Sequence, residues 1–341
     1  MSISDADITI VYQGPVASGT DATADLIRRT RQALPHSPLV LSTWDGCQTS
    51  GLDVDHVIFS EDPGGLPGIK RRDGAGEPNN VNRQLRSTQR GLADVATPYA
   101  IKIRTDCALD NAAFLQTYEA ISAVSPEPRL LTSSLFTIDP LMFEQMPYHV
   151  SDWFQFGPSA LLRRYWSAPF MSAADASFYE RHPYARHSTY LDRRFRTRLA
   201  VEQYLAVQFA GGLGYPVPRY HNDLSDGVLV GHRRFLARHV IPVDPWNIRL
   251  RFPKYEWAYR SSFQRLNCLL FPDWHDLYLQ EGGRPFAAPA ARLFRARRAR
   301  KQAARVLAHW LDRAGPLLVR PLCKHTVNRL LSVLAPPGPS R

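Results

Sequence analysis

The feature that most constrains this chain is an alternation. Between Ile8 and Asp106, short β-branched runs alternate with stretches of helical periodicity. Residues 8–12 (ITIVY), 39–44 (LVLSTW), 54–60 and 99–104 (YAIKIR) read as strands, and 21–34 and 80–95 as helices. Such a chain buries a mostly parallel sheet between helices, because each crossover must return over a face of the sheet. The expected fold class is α/β, a Rossmann-like, mixed and mostly parallel sheet flanked by helices. No G-x-G-x-x-G follows the first strand, which ends in the sharp turn Gln13-Gly14-Pro15, and this counts against a dinucleotide fold.

The stretch from Asn80 to Asp110 carries most of the chemistry. Val81, Leu85, Leu92 and Val95 share one side of a helix, with Arg83, Arg86 and Arg90 on other faces. Thr97-Pro98 breaks it. In the strand that follows, Ile101 and Ile103 face one way, Lys102 and Arg104 the other. It ends in Thr105-Asp106, with Asp110 four residues on. An acid at the C-terminal end of a strand sits where open α/β sheets bind ligands, and suits a divalent metal held against phosphate. The plainer role for Asp110-Asn111 is to cap the helix expected from 112 to 124.

Beyond this point the pattern loosens. Residues 130–136 are strand-like, 151–157 aromatic, 198–209 helical and 240–285 aromatic and irregular. The loop 61–80, with Lys70-Arg71-Arg72, is long for a connection in a compact domain, a length usually functional or disordered. A nucleotide-binding half over about 1–125 and an acceptor half over about 126–285 are expected, followed by a basic helical region over 286–341. Charge marks the last boundary. Of 42 Lys+Arg and 31 Asp+Glu, 12 basic residues and one acid lie in 291–341, so the remaining 290 residues are balanced at 30 of each. Four scattered cysteines suit reduced thiols in a cytosolic protein. The acidic start is unlike a signal peptide, and no apolar run approaches the roughly 20 residues that span a bilayer.

Several short stretches occur in one order: ITIVYQGP at 8–15, LSTW at 41–44, SEDPGG at 60–65, NRQLRST at 82–88, YAIKIRTD at 99–106 and SDWFQFG at 151–157. Together, over residues 8 to about 226, they resemble the WavE lipopolysaccharide synthesis family of bacterial glycosyltransferase-like proteins. The resemblance implies a GT-A-like fold, a nucleotide-sugar donor and a role in building surface polysaccharide. In such a site Gln13, Gly14 and Pro15 contact the nucleotide, and Ser42, Thr43 and Trp44 its base or ribose. Asn82 and Arg83 open the helix leading to the metal strand, where an arginine suits a diphosphate. Asp106 is the expected ligand of Mn²⁺ or Mg²⁺, with Asp110 as a second. The family fold's usual Asp-x-Asp reads Arg104-Thr105-Asp106 here, and Arg104 is the alternative partner for phosphate.

An inverting transferase also needs a carboxylate to take the acceptor's proton. Asp152, among aromatics, and Glu202, in a helix start, rank above Asp223 and Asp226. Inversion and retention stay open. The basic segment 289–334, with its apolar side, suits an anionic membrane surface. Nucleic acid is the rival partner and packing onto the body the third. The expected protein is a cytoplasmic glycosyltransferase, peripheral on the inner membrane, acting on a saccharide or lipid-linked saccharide. A non-catalytic nucleotide-sugar or polysaccharide binder is the alternative.

Overall fold

The computed structural model describes residues 2–19, 22–70, 76–125, 127–189, 192–286 and 297–306. The first half runs β1 (Ile8–Gln13), α1 (Thr23–Ala33), β2 (Leu39–Trp44), β3 (His56–Ser60), β4 (Leu66–Lys70), β5 (Gly76–Asn79), α2 (Val81–Ala93), β6 (Tyr99–Arg104), β7 (Ala108–Leu109) and α3 (Phe114–Val124). The second half runs β8 (Leu130–Ser133), β9 (Phe154–Pro158), α4 (Ser159–Tyr165), α5 (Ala173–Ala176), α6 (Val201–Gly211), α7 (Asp226–His239), β10 (Val240–Val243), β11 (Leu250–Arg251), α8 (Glu256–Arg260), α9 (Ser262–Asn267) and α10 (Phe271–Gln280).

Seven strands form one sheet in the order β10-β8-β9-β6-β1-β2-β3. All neighbours are parallel except β9, which is antiparallel to both β6 and β8. The expected mixed, mostly parallel α/β sheet is thus what forms. Every residue of β1 is buried, because α1 (Leu26, Ile27) and α2 (Val81, Leu85, Leu92) supply apolar residues to the core. Helix α2 lies so close to the sheet that a Cβ on Gly91 would stand 2.4 Å from Val11 Cγ1 and 3.1 Å from Ser42 Cβ.

Topology decides where a site can form. In register, Gln13 of β1 is beside Arg104 of β6, so their C-terminal ends meet. Because β9 is antiparallel, its first residue, Phe154, stands opposite Ile103 at the same edge. The connection from β8 to β9 crosses that edge. It is pinned by the Ile138–Cys268 bridge and by Asp139 N–H donating to the Asn267 carbonyl. Phe136 (φ 64°) and Tyr148 (φ 62°) both sit in the left-handed region. For large aromatic residues this is backbone strain, held by surrounding structure.

Three expectations are corrected. The connection 45–55 contains turns but no helix, so β2 and β3 are not joined by a βα unit. The long loop 61–80 folds back as the antiparallel pair β4–β5, and Arg71 and Arg72 lie outside the described residues. Residues 297–306 are helical, and three of their five basic side chains turn toward the body, while Arg298 and Arg300 stay exposed. Arg297 meets Asp273 at 2.6 Å, Lys301 meets Asp273 at 2.8 Å and Asp139 at 3.0 Å, and Arg305 meets Asp139 at 2.8 Å. Burial would raise the Asp139 and Asp273 carboxyls, but these cations outweigh it and hold both below the usual range. The rest of 289–334 lies outside the described residues. Among the described residues no helix is long and apolar enough to cross a membrane.

Gly91→Ala tests the close approach of α2. It is expected to destabilise the protein by roughly 1–3 kcal/mol through overpacking, read as a lower urea midpoint with an unchanged slope.

Candidate active site

Two strand ends and one crossing segment build the site. At the end of β1, Gly14 has φ 123°, and a Cβ there would come within 2.9 Å of Thr105 Oγ1. The turn is tied across three strands. Gly14 N–H donates to the Ser42 carbonyl, Thr105 N–H to the Gln13 carbonyl, and the Thr105 hydroxyl to the Pro15 carbonyl at 2.7 Å. Only glycine meets both the φ and the closeness. Pro15 is exposed beside it.

At the end of β6, Arg104 Nε and one terminal nitrogen grip both oxygens of Asp106, each at 2.9 Å. The guanidinium also lies over the Phe252 ring, 4.9 Å from its centroid. Burial disfavours its charge, but Asp106 and Asp152 hold the guanidinium well above its ordinary pKa. A bidentate pair of this kind fixes the planes of both groups.

Lys102, two residues back on the same face, is fully buried. Its ammonium donates to the Asp152 backbone carbonyl and stands 3.3 Å from Asp152 Oδ2. It also sits over the Trp166 ring, 4.7 Å from the centroid. Burial pulls the ammonium below its ordinary value, with Asp152 offsetting part of that. For Asp152, burial pushes up, and Lys102 and Arg104 outweigh it to hold the carboxyl low. Asp152 is therefore an interior ion-pair partner rather than an open base.

Glu202 is differently placed. It stands in the first turn of α6, as its sequence suggested, with its side chain 22% exposed. Its Oε2 lies 3.4 Å from Nε2 of buried His149. The other imidazole nitrogen, Nδ1, is 2.8 Å from the Phe136 carbonyl. A carbonyl only accepts, so Nδ1 carries the proton there, and Nε2 gains one only in the imidazolium. Burial works against that charge, but Glu202 outweighs it and holds His149 above the ordinary histidine pKa. Tyr255, packed on Trp153 and Phe252, lies within electrostatic reach of Arg104, Glu202, Asp106 and Asp152, so these charges gather round one edge.

Other sequence candidates fall elsewhere. Ser42 and Thr43 are fully buried, with Ser42 against α2, which corrects their reading as ligand contacts; Trp44 is partly exposed. Gln13 is buried and accepts from Ser87 Oγ at 2.9 Å. Asn82 is also corrected: its amide is committed to the Met171 backbone, accepting from N–H at 2.8 Å and donating to the carbonyl at 3.2 Å. Arg83 grips Asp62 through two 2.7 Å bonds, at the rim of the β4–β5 hairpin. Asp110 faces Arg29 at 3.4 Å and Arg251 at 3.9 Å. Asn111 accepts from Ala113 N–H in the turn before α3, whose N-cap is Ala113 with no side-chain cap bond, so neither Asp110 nor Asn111 caps that helix.

This arrangement does not fit a divalent metal. Both Asp106 oxygens are taken by Arg104, and Asp110 is held by two other arginines. Among the described residues no three His, Cys, Asp or Glu side chains converge as a ligand set. Sequence reasoning missed His149, Lys102 and Tyr255 as members of the site. Lys102 had a signal, a lone cation between two buried isoleucines; His149 and Tyr255 had none.

The His149–Glu202 pair has a pH signature. A raised histidine pKa contributes stability that is full below the unfolded value of about 6.5 while Glu202 is ionised, and that is lost as pH rises through the folded value. NMR titration is expected to place His149 above roughly 6.5 and to show it fall in Glu202→Gln. An unchanged His149 titration in that variant contradicts the pairing.

Comparison with known proteins places the chain. No curated protein matches it in sequence. Among solved structures, an active-site mutant of LgtC is 10% identical with TM-score 0.34, over 65% of this chain and 82% of that one. The 2-C-methyl-D-erythritol 4-phosphate cytidylyltransferase from Thermus thermophilus is 13% identical with TM-score 0.29, over 68% and 98%. HddC from Yersinia pseudotuberculosis, complexed with GMP-PN, is 10% identical with TM-score 0.26, over 46% and 78%. Similarity this low carries no argument. The sequence model of WavE lipopolysaccharide synthesis proteins, by contrast, matches residues 8–307, from β1 through the helix at 297–306, and the chain belongs to that family.

Proposed function

We propose that this protein is a glycosyltransferase that moves a sugar from a nucleotide-sugar donor onto a lipopolysaccharide or capsular polysaccharide acceptor. The observation that carries the reading is the pairing of partly exposed Glu202 with buried His149, near the edge where Arg104 and Asp106 end β6. Family membership supports the pathway.

In this reading the donor's diphosphate lies along the C-terminal ends of β1 and β6, near Gly14 and Pro15. A guanidinium carries five donors and Asp106 occupies two, so Arg104 keeps others for phosphate oxygens. Its positive charge stabilises the leaving nucleoside diphosphate as negative charge develops there. Glu202 takes the proton of the acceptor hydroxyl as that oxygen attacks the anomeric carbon. His149 holds the carboxylate in place and shares the proton. One base and one displacement give inversion at the anomeric carbon. Asp152 positions Arg104 electrostatically and is not the base. A peripheral position on the cytoplasmic face of the inner membrane, with a lipid-linked acceptor, rests on the basic sequence of 289–334, of which Arg297, Lys301 and Arg305 are ion-paired to the body.

The test is transfer from a panel of nucleotide sugars to rough-type lipopolysaccharide. Glu202→Gln is expected to lower kcat by about 10²–10⁴ while leaving donor affinity close to wild type. Chelation with EDTA is expected to leave donor affinity unchanged, because among the described residues the acids do not form a metal site. Wild-type kcat in Glu202→Gln contradicts the assignment of the base.

A further inference from the structure

A second cavity opens next to the candidate active site, and no residue of it has a part in the scheme above. It measures about 280 Å³ and is lined by Asp110, Trp246, Arg249, Arg251 and Tyr259, among others. That is close to the lower bound of small-molecule sites, roughly 300 Å³, and gives room for about one sugar residue. One aromatic layer separates it from the active site. Tyr259 stacks on Trp153 at 6.4 Å, Trp153 meets Phe252 at 4.4 Å, and Phe252 lies beneath Arg104.

Its chemistry is specific. Trp246 and Tyr259 offer flat apolar faces of the kind on which sugar rings stack, with a polar tip at each edge. Arg249 has φ 46°, the left-handed region, and its carbonyl accepts from Asp110 N–H at 3.2 Å. A non-glycine residue held there is strained, and strain of this sort gathers at binding sites. Arg249 is exposed at the cavity. Arg251 has its Nε buried without a hydrogen-bond partner, and its guanidinium is 3.9 Å from Asp110. Behind the lining, the Arg265 guanidinium lies over Trp246, 5.3 Å from its ring centroid. Asp110 is one acid against these cations, and Arg29 already pairs with it at 3.4 Å. The cavity therefore carries excess positive charge beside two aromatic faces.

We infer that this cavity is an acceptor subsite for a sugar residue bearing a carboxylate or a phosphate. The ring stacks on Trp246 and Tyr259, and the anion meets Arg249 and Arg251, for which a planar fork of donors is the matching geometry. The inference deepens the glycosyl-transfer reading and rests on it.

Saturation-transfer NMR on the full chain, without donor, tests it with three probes: glucuronic acid, a glucose phosphate ester and glucose. At least one anionic sugar is expected to bind about tenfold more tightly than glucose. The uronate alone names the carboxylate as the recognised group, and the phosphate ester alone names the phosphate. Arg249→Asn is expected to abolish that tenfold preference with an unchanged melting temperature, since asparagine adopts the left-handed conformation readily. Arg251→Gln reports on the same contact without touching the strained backbone. Equal binding of glucose and both anions overturns the inference. So does a preference that survives Arg249→Asn, Arg251→Gln and Trp246→Ala. Nucleotide affinity, measured separately, stays intact if only the subsite is wrong, and is missing if the transferase reading itself is wrong.

Discussion

The buried pair between Lys102 and Asp152 is what the rest of this edge depends on. An ammonium cannot sit unpaired in an apolar core, and removing one member of such a pair typically costs about 3–5 kcal/mol. Lys102 is fixed by its place in β6, between Ile101 and Ile103. Asp152 must therefore come to it, and it does so from the segment that opens antiparallel β9. Once it is there, Trp153 follows, with its carbonyl accepting from Arg104 N–H. The position of Arg104, and through it Asp106, is thus set from behind by a charge that never reaches solvent.

The same segment carries His149, and its shape is held against strain. Phe136 and Tyr148 adopt φ values that cost of order 1–3 kcal/mol each. What holds them lies further along the chain. Glu144 N–H donates to Asn267 Oδ1, and Tyr148 N–H to His232 Nδ1. Asp139 is gripped by Lys301 and Arg305 of the helix at 297–306. The basic end of the chain thus supports the loop that places His149 beside Glu202. The family match, which extends to 307, covers this helix as well.

Much of the fold was legible because it rests on local periodicity. β1, β2, α2 and β6 follow from β-branched runs and apolar spacing, and Asp106 from its place at a strand end. Glu202 was legible as a first-turn acid. What was not legible depends on contacts between distant residues. Asp152 looked like an open acid among aromatics, because a sequence does not show that Lys102 lies behind it. Ser42 and Asn82 looked available because they flank the right turns; their burial follows from how closely α2 packs, which only Gly91 foreshadows. The basic helix at 297–306 looked membrane-facing since its counter-ions, Asp139 and Asp273, sit in unrelated stretches. The β4–β5 pair was hidden in a loop rich in glycine and proline.

The central claim is that the edge formed by Gly14, Arg104 and Asp106 receives the diphosphate of a nucleotide sugar. Calorimetric titration of wild type and Arg104→Gln with a panel of nucleoside diphosphates tests it directly. The account predicts that one nucleoside diphosphate binds wild type, and binds Arg104→Gln at least about tenfold more weakly, in line with a lost charge-assisted contact. Equal affinity in the two proteins, or no binding by any nucleotide, would contradict it.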